Sequence, residues 1–341
     1  MSDLPQTMRA LTLLHDGFGA DPTGQALTDL SPYLAYRDDA AVPQPGPGEA
    51  LVRVAAAAVN PSDVAYIKGI YGQPRRRGIA AGFEATGIVV AGDTPLIGRR
   101  VAFFGGGTGT WAEYALARAD QLIPVMDSVS DDDAAGLIVN PLTAAAMFDL
   151  VRASGAQSFV ATAAASQLGK YLISLGRDEG LACLAHIRRS EAAEALHALG
   201  AAEVLATDAP DYAKRLDAAM GLHGPTMLLD AVAGPASAEV FFAMPKGARW
   251  VIYGRLSDTP PTLTDAAQFI FASKRVEGFW LAEWMATAGQ DTIEQVIALA
   301  QSRFASGAWR TDISARVPLA EAMDRLPALY GQKDSKVLLV P

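Results

Sequence analysis

Two segments carry residue types suited to holding a phosphorylated nucleotide. In the run ATAAASQLGK, small residues recur at Ala163, Ser166 and Gly169. That spacing fits a strand turning into a helix, with a tight turn, a backbone close enough to touch a pyrophosphate, and helix amides aimed at it. Only the third position is glycine, and as a bare string the run equally describes an ordinary strand-to-helix turn. Further on, LACLAHI is followed by Arg188, Arg189 and Ser190, with no acid before Glu191. Two cations after a second strand suit a ribose 2′-phosphate, whereas an acid there suits a free 2′-hydroxyl. The competing reading is a solvated basic turn. Together the two segments point to NADPH as cofactor.

The elements around them decide between these readings. Apolar, strand-like runs at 158–163, 181–187, 203–206, 226–231, 248–253 and 275–279 alternate with helical segments such as SQLGKYLISLG, SEAAEALHALG and APDYAKRLDAAMG. Strands apolar on both faces and separated by helices mean a parallel sheet covered on both sides. Six of them make a doubly wound Rossmann domain, with Ala163, Ser166 and Gly169 at its first strand-to-helix junction. Tyr253, Gly254 and Arg255 follow the fifth strand, where a loop covers the nicotinamide half of a dinucleotide; Phe279 and Trp280 follow the sixth.

The first 125 or so residues have a different texture, rich in Gly and Pro, with short β-type runs at 50–59, 85–90 and 100–104. They read as a mostly β domain. From about residue 130 the chain turns helical, with Ser130 as N-cap and Asp131, Asp132 and Asp133 in the first turn. The closing strand KVLLV has no helix after it and is expected to rejoin the first domain. The expected organisation is therefore an α/β chain, with residues 1–127 and 283–341 forming a catalytic domain and 128–282 the inserted nucleotide domain.

Composition excludes several classes. Lys and Arg total 28 against 37 Asp and Glu, a net charge of −9, which is the wrong sign for a protein that neutralises nucleic-acid phosphates. Cys183 is the single cysteine, so neither an intrachain disulfide nor a four-thiolate zinc site is available. The opening MSDLPQTMRA lacks the basic patch and apolar run of a secretory signal, and no stretch approaches the roughly 20 apolar residues of a membrane span. The expectation is a cytoplasmic protein without membrane or nucleic-acid partners.

Three blocks, AAVNPSDVAYIKGIYG from Ala57, AAGFEATGIVV from Ala80 and NPLTAAAM from Asn140, carry a resemblance, joined by TAAASQLGK, IRRSEAAEALHALGAAEVL, WVIYGRLS and KRVEGFW. In this order they resemble the medium-chain dehydrogenase/reductase superfamily, specifically its zinc-lacking quinone oxidoreductase and enoyl-thioester reductase branch. The resemblance implies a GroES-like catalytic domain interrupted by the Rossmann domain. It places Asn60, Tyr71 and Asn140 at the cofactor-facing cleft as hydrogen-bond donors, and Thr143 facing the nicotinamide amide, with helix packing as its rival. Tyr253, Gly254, Trp280 and Lys336, at the head of the last strand, are counted with Ala163, Ser166, Gly169, Arg188 and Arg189 as cofactor-binding.

In the zinc enzymes of that superfamily, a cysteine ligand stands where this chain has Asn60 and a histidine where it has Phe83. Neither replacement is a zinc ligand, and the four histidines, His15, His186, His197 and His223, are scattered, so no catalytic metal is expected. Glu84 matches the superfamily's acidic position, with a structural role as its rival. Without a Lewis acid, hydride delivery suits a quinone or an α,β-unsaturated carbonyl, whose enolate oxygen needs only hydrogen-bond donors. Tyr71 supplies one, and Asn60 either does the same or caps the turn through NPSD. The alternatives are an enoyl-thioester reductase, whose anionic substrate Arg75, Arg76 and Arg77 would attract if they are more than a solvated charged loop, and a non-catalytic NADPH-binding sensor. The resemblance also implies a homodimer, for which the sixth strand KRVEGFW is the available sheet edge.

Overall fold

The computed structural model describes residues 4–19, 24, 26–105, 107–331 and 334–341. The chain divides into two compact units, Met1–Val139 with Ala300–Pro341, and Asn140–Leu299. The first unit begins with β1 (Thr7–Leu13), β2 (Leu34–Ala41), β3 (Glu49–Ala58), α1 (Pro61–Ile67), β4 (Glu84–Gly92), β5 (Arg100–Phe104), β6 (Tyr114–Arg118), β7 (Ile123–Pro124) and α2 (Asp131–Ala135). The second holds β8 (Ser158–Thr162), α4 (Gln167–Asp178), β9 (Ala182–Ile187), α5 (Ala193–Leu199), β10 (Glu203–Ala206), α6 (Tyr212–His223), β11 (Met227–Asp230), α7 (Pro235–Ala243), β12 (Arg249–Ile252), α8 (Ala266–Phe271), β13 (Arg275–Gly278) and α9 (Leu281–Thr287). Two helices run through the unit boundaries, α3 (Val139–Ser154) and α10 (Gln290–Ala305), after which β14 (Ile313–Pro318), α11 (Ala322–Tyr330) and β15 (Lys336–Val340) return to the first unit.

The first unit is sheet-rich. A seven-stranded sheet runs β14-β15-β3-β4-β5-β7, with β6 on β3, and β1 pairs separately with β2. β15 pairs antiparallel with β3 through Leu338 and Leu339 against Ala58 and Ala57, so the carboxyl-terminal strand does rejoin the first unit. That pairing brings Lys336 toward the end of β3, beside Asn60. The core beneath it includes Leu11, Val52, Val64, Phe103, Trp111 and Leu339, each at most 1% exposed.

The second unit is one parallel sheet of order β10-β9-β8-β11-β12-β13. That is the doubly wound 3-2-1-4-5-6 order, read from β8 as strand 1. All five residues of β8 and all four of β11 are buried, as strands covered on both faces must be. The edge strand β13 differs, with its four residues exposed or half-buried.

The boundary residues explain where the units meet along the chain. The sequence puts the first crossing at 127/128, while the structure keeps residues through Val139 with the first unit. Asp132 pairs with Arg316, Asp133 accepts from the Thr311 amide at 2.7 Å, and Gln301 accepts from the Met126 amide at 2.9 Å. These contacts tie both the α2 region and the end of α10 to the first unit. Ser130 does cap a helix, its Oγ accepting from the Asp133 amide at 3.1 Å, but that helix is the five-residue α2. The long helix α3 starts afresh after Gly136, with no Ser, Thr, Asp or Asn just before it.

Candidate functional site

In the first unit, four polar side chains share an interior. Asn60, Asp63, Glu84 and Lys336 are 1, 0, 1 and 5% exposed. Asn60 ends the approach to α1, and its amide N–H donates to Asp63 Oδ2 at 2.7 Å, while Asp63 Oδ1 accepts from the Phe83 amide at 2.8 Å. Asn60 Nδ2 donates to Glu84 Oε1 at 2.8 Å, and the Lys336 ammonium donates to Asn60 Oδ1. Glu84 Oε2 accepts from the Ile138 and Val139 amides at 3.0 and 2.8 Å. The carboxylate of Glu84 thus caps α3 from another element, supplying the negative charge and acceptor that a helix start needs.

Burial dominates the titration of Asp63 and Lys336. It pushes the Asp63 carboxyl up to about 7, helped by the Glu84 charge and opposed by Lys336 and two backbone N–H donors. It pushes the Lys336 ammonium down, opposed by Glu84 and Asp63. The Tyr330 hydroxyl, buried and without a hydrogen-bond partner among the described residues, is pushed up by burial and by Asp63.

The residues expected to do chemistry here fall into two groups. Tyr71 is half-buried and packs on Phe83, ring centroids 5.1 Å apart, with Tyr66 on Phe83 at 5.0 Å. Asn60, expected either as a donor to substrate or as a turn cap, has both amide heavy atoms engaged by Lys336 and Glu84. Lys336, expected at the cofactor, spends a hydrogen bond on Asn60. Arg75 corrects the sequence reading of three surface cations. It is 8% exposed, with Nε on the Gly17 carbonyl at 3.0 Å and Nη1 on the Ile67 carbonyl at 3.1 Å, which leaves Arg76 and Arg77 at the surface. The glycine run after β5 is a turn at its described ends, Thr108 N–H meeting the Gly105 carbonyl at 2.8 Å; Gly106 lies outside the described residues.

In the second unit, the turn after β8 is tight. Ala163 adopts a left-handed φ of 47°, Ser166 Oγ accepts from the Gly169 amide at 3.2 Å, and a Cβ on Gly169 would lie 2.5 Å from Ala164. The third position is therefore glycine because α4 presses on the turn, and the first position is bent as a pyrophosphate turn is although it carries a methyl group. After β9, Arg188 and Arg189 are exposed; Arg189 lies 3.9 Å from Glu191, and Asp208 is taken by the Ser190 amide at 3.0 Å. Gly254 has no room for a Cβ, the Ala231 carbonyl being 2.7 Å away, and Trp280 is 38% exposed at the start of α9. Asn140 and Thr143 lie in the first turns of α3, half-buried and buried respectively. Tyr253 has a buried hydroxyl without a partner among the described residues, and burial with the nearby Asp230 raises its pKa.

Asp230, a residue that no motif marks, closes β11 and organises these strand ends. Its buried carboxylate accepts from Thr162 Oγ1 at 2.5 Å, the Val232 and Ala233 amides at 2.9 and 3.0 Å, Ser237 Oγ at 2.9 Å and Trp250 Nε1 at 2.7 Å. An acid closing the apolar strand MLLD is the signal that was available. His186 beside Tyr212 is driven by burial down to about 4 and is neutral at physiological pH. Among the described residues no three His, Cys, Asp or Glu side chains gather as a metal-binding group, and no helix is long and apolar enough to cross a membrane.

A sheet-rich unit and a doubly wound parallel unit define a two-unit α/β protein. Residues 46–127 match the alcohol dehydrogenase GroES-like domain. A crystal structure from Mesorhizobium loti, assigned as an NADPH:quinone reductase, is 47% identical with a TM-score of 0.94 and 99% of each chain covered. The mitochondrial enoyl-[acyl-carrier-protein] reductase of Arabidopsis thaliana is 29% identical over 96% of this chain and 87% of its own. A mycobacterial protein in complex with NADPH, 23% identical with a TM-score of 0.79 over 98% of this chain and 100% of its own, shares the fold. The chain belongs to the medium-chain dehydrogenase/reductase superfamily, in the zinc-lacking quinone and enoyl reductase branch, and is an oxidoreductase.

The raised Asp63 gives a pH prediction with a definite sign. The folded state holds this proton more tightly than the unfolded chain, so the contribution to stability is full below about pH 4 and is lost as pH rises through about 7. Urea unfolding of the wild type and Asp63→Asn between pH 4.5 and 8 should show the wild type's advantage shrinking with rising pH. An advantage constant over that range contradicts the assignment.

Proposed function

We propose that the protein is an NADPH-dependent, zinc-independent reductase that directs hydride to a quinone or to the β-carbon of an α,β-unsaturated carbonyl. The observation carrying the reading is the pair of exposed arginines after β9, beside the bent, glycine-packed turn between β8 and α4. The names of the Mesorhizobium loti and mycobacterial neighbours support the same cofactor. The site fits a dinucleotide on its own geometry, since Ala163 is already in the left-handed conformation and Gly169 leaves α4 close to the turn. A bound nicotinamide nucleotide supplies the hydride.

The chain's residues do the rest. The start of α4, with its amides and the positive end of the helix dipole, would hold the pyrophosphate, and Arg188 and Arg189 would hold the 2′-phosphate. Tyr71, packed on Phe83, would donate a hydrogen bond to the substrate oxygen on which negative charge develops. Zinc independence is supported by donor chemistry, because Asn60 and Phe83 offer no anionic ligand and the buried Lys336 ammonium repels a divalent cation. The enoyl-thioester reading is favoured by the Arabidopsis relative's name and by Arg76 and Arg77 remaining exposed.

An edge also favours self-association. The strand β13 is open, and Ile270, Phe271 and Val276 around it are 69, 75 and 38% exposed. Apolar side chains beside an unpaired strand are covered by pairing with a second copy.

Two measurements check these readings. Absorbance assays with NADPH and NADH against a quinone, a short enone and a crotonyl thioester should show turnover with NADPH, a loss of about 100-fold in kcat for Tyr71→Phe, and no effect of a zinc chelator. An Arg188→Ala/Arg189→Ala variant should lose most of the preference for NADPH over NADH. NADPH binding without turnover of any acceptor would replace the reductase by the sensor. By sedimentation the wild type should be a dimer and Val276→Asp a monomer; a monomeric wild type removes the edge-pairing proposal.

A further inference from the structure

The buried cluster of the first unit is wired in one direction. Asp63 spends its carboxylate on backbone donors of Asn60 and Phe83, and Glu84 Oε2 spends itself on the amides of Ile138 and Val139. The remaining link is a side-chain chain, in which the Lys336 ammonium donates to Asn60 Oδ1 and Asn60 Nδ2 donates to Glu84 Oε1. An amide between a cation and an anion has one stable orientation, oxygen to the ammonium and nitrogen to the carboxylate. The reverse places donor against donor and acceptor against acceptor. The ammonium and the carboxylate together favour one orientation of the Asn60 amide, which holds Glu84 Oε1 while Oε2 sits on the start of α3. No residue immediately preceding α3 supplies a side-chain cap, so this distant carboxylate is what satisfies its first amides. The same helix carries Asn140 and Thr143 in its opening turns.

We propose that Lys336 is a positioning residue that acts through the Asn60 amide and the Glu84 carboxylate to fix the opening turn of α3, rather than a ligand of the cofactor. The consequence for turnover rests on the reductase reading; the effect on α3 does not. The relay runs through four separate stretches of sequence, the end of β3, the head of β4, residues 138–139 and the head of β15. Removing the ammonium takes away the cation that faces Glu84 and Asp63 in this interior.

Amide hydrogen exchange resolved to single residues tests the relay in Lys336→Met, Glu84→Gln and the double variant. For Lys336→Met the Ile138 and Val139 amides should exchange at least about tenfold faster, while those of Phe159, Val160 and Ala161 in β8 stay within about twofold. The double variant should be no worse than Glu84→Gln alone, because the two residues act in series. With an acceptor that turns over, kcat should fall about tenfold while the NADPH dissociation constant changes less than about twofold. Should Lys336→Met not fold, Lys336→Gln, which keeps a neutral donor, should still speed exchange at 138 and 139 by about threefold or more. Unchanged exchange at these two amides overturns the proposal. So do additive effects in the double variant, or a weakened NADPH affinity with exchange unaltered, which would return Lys336 to the cofactor. The exchange and binding readouts stand even if no acceptor is reduced, so failure of the relay and failure of the reductase reading are distinguishable.

Discussion

A carboxylate taken out of water must find donors for its oxygens, and Glu84 finds them on parts of the chain far apart in sequence. It accepts from the Asn60 side chain 24 residues earlier and from the Val139 amide 55 residues later. Much of the first unit's polar architecture follows from that requirement. Lys336 balances the charge from the last strand, and the antiparallel pairing of β15 with β3 delivers it there. Removing one partner of a buried charged set costs about 3–5 kcal/mol, because the charge left behind has nowhere to go. The proposed relay links position 84 to position 336 through the Asn60 amide.

The second unit solves a similar problem with Asp230. Five donors converge on one buried carboxylate and bind together the ends of β8, β11 and β12 with the start of α7. In an open parallel sheet, ligands bind beyond the carboxyl ends of the strands, and a fixed anion there shapes the loops at that end. Ala163 and Ala233, both at positive φ near these ends, stay in that strained region because the surrounding bonds leave no alternative.

The alternation of apolar runs and helices made the second unit legible. The runs expected at 203–206 and 158–163 are β10 and β8 to within a residue at either end. Gly169 and Ser166 were legible too, because a strand-to-helix turn states its demands locally. What escaped were side chains whose partners are remote. Ser130 marks a helix start in the sequence, yet it caps the short α2; α3 is capped by Glu84, a pairing no local pattern encodes. Arg75 reads as surface charge from its neighbours Arg76 and Arg77, and only the fold shows it turned inward onto two carbonyls. The unit boundaries differ for the same reason, since Asp132, Asp133 and Gln301 bind residues distant in sequence. Asn60 and Tyr71 were singled out by resemblance alone, and the geometry separates them, one committed to a buried relay and the other half-exposed beside Phe83.

Direct hydride transfer without a metal is the central claim, and isotope labelling tests it most plainly. NADPH carrying deuterium on the transferable face of its nicotinamide C4 would be mixed with a short enone and the purified protein, and the reduced product analysed by mass spectrometry and NMR. The account predicts one deuterium per product molecule, on the β-carbon, undiminished by a zinc chelator. Product without label, label lost to solvent, or transfer that stops on removing zinc would contradict it.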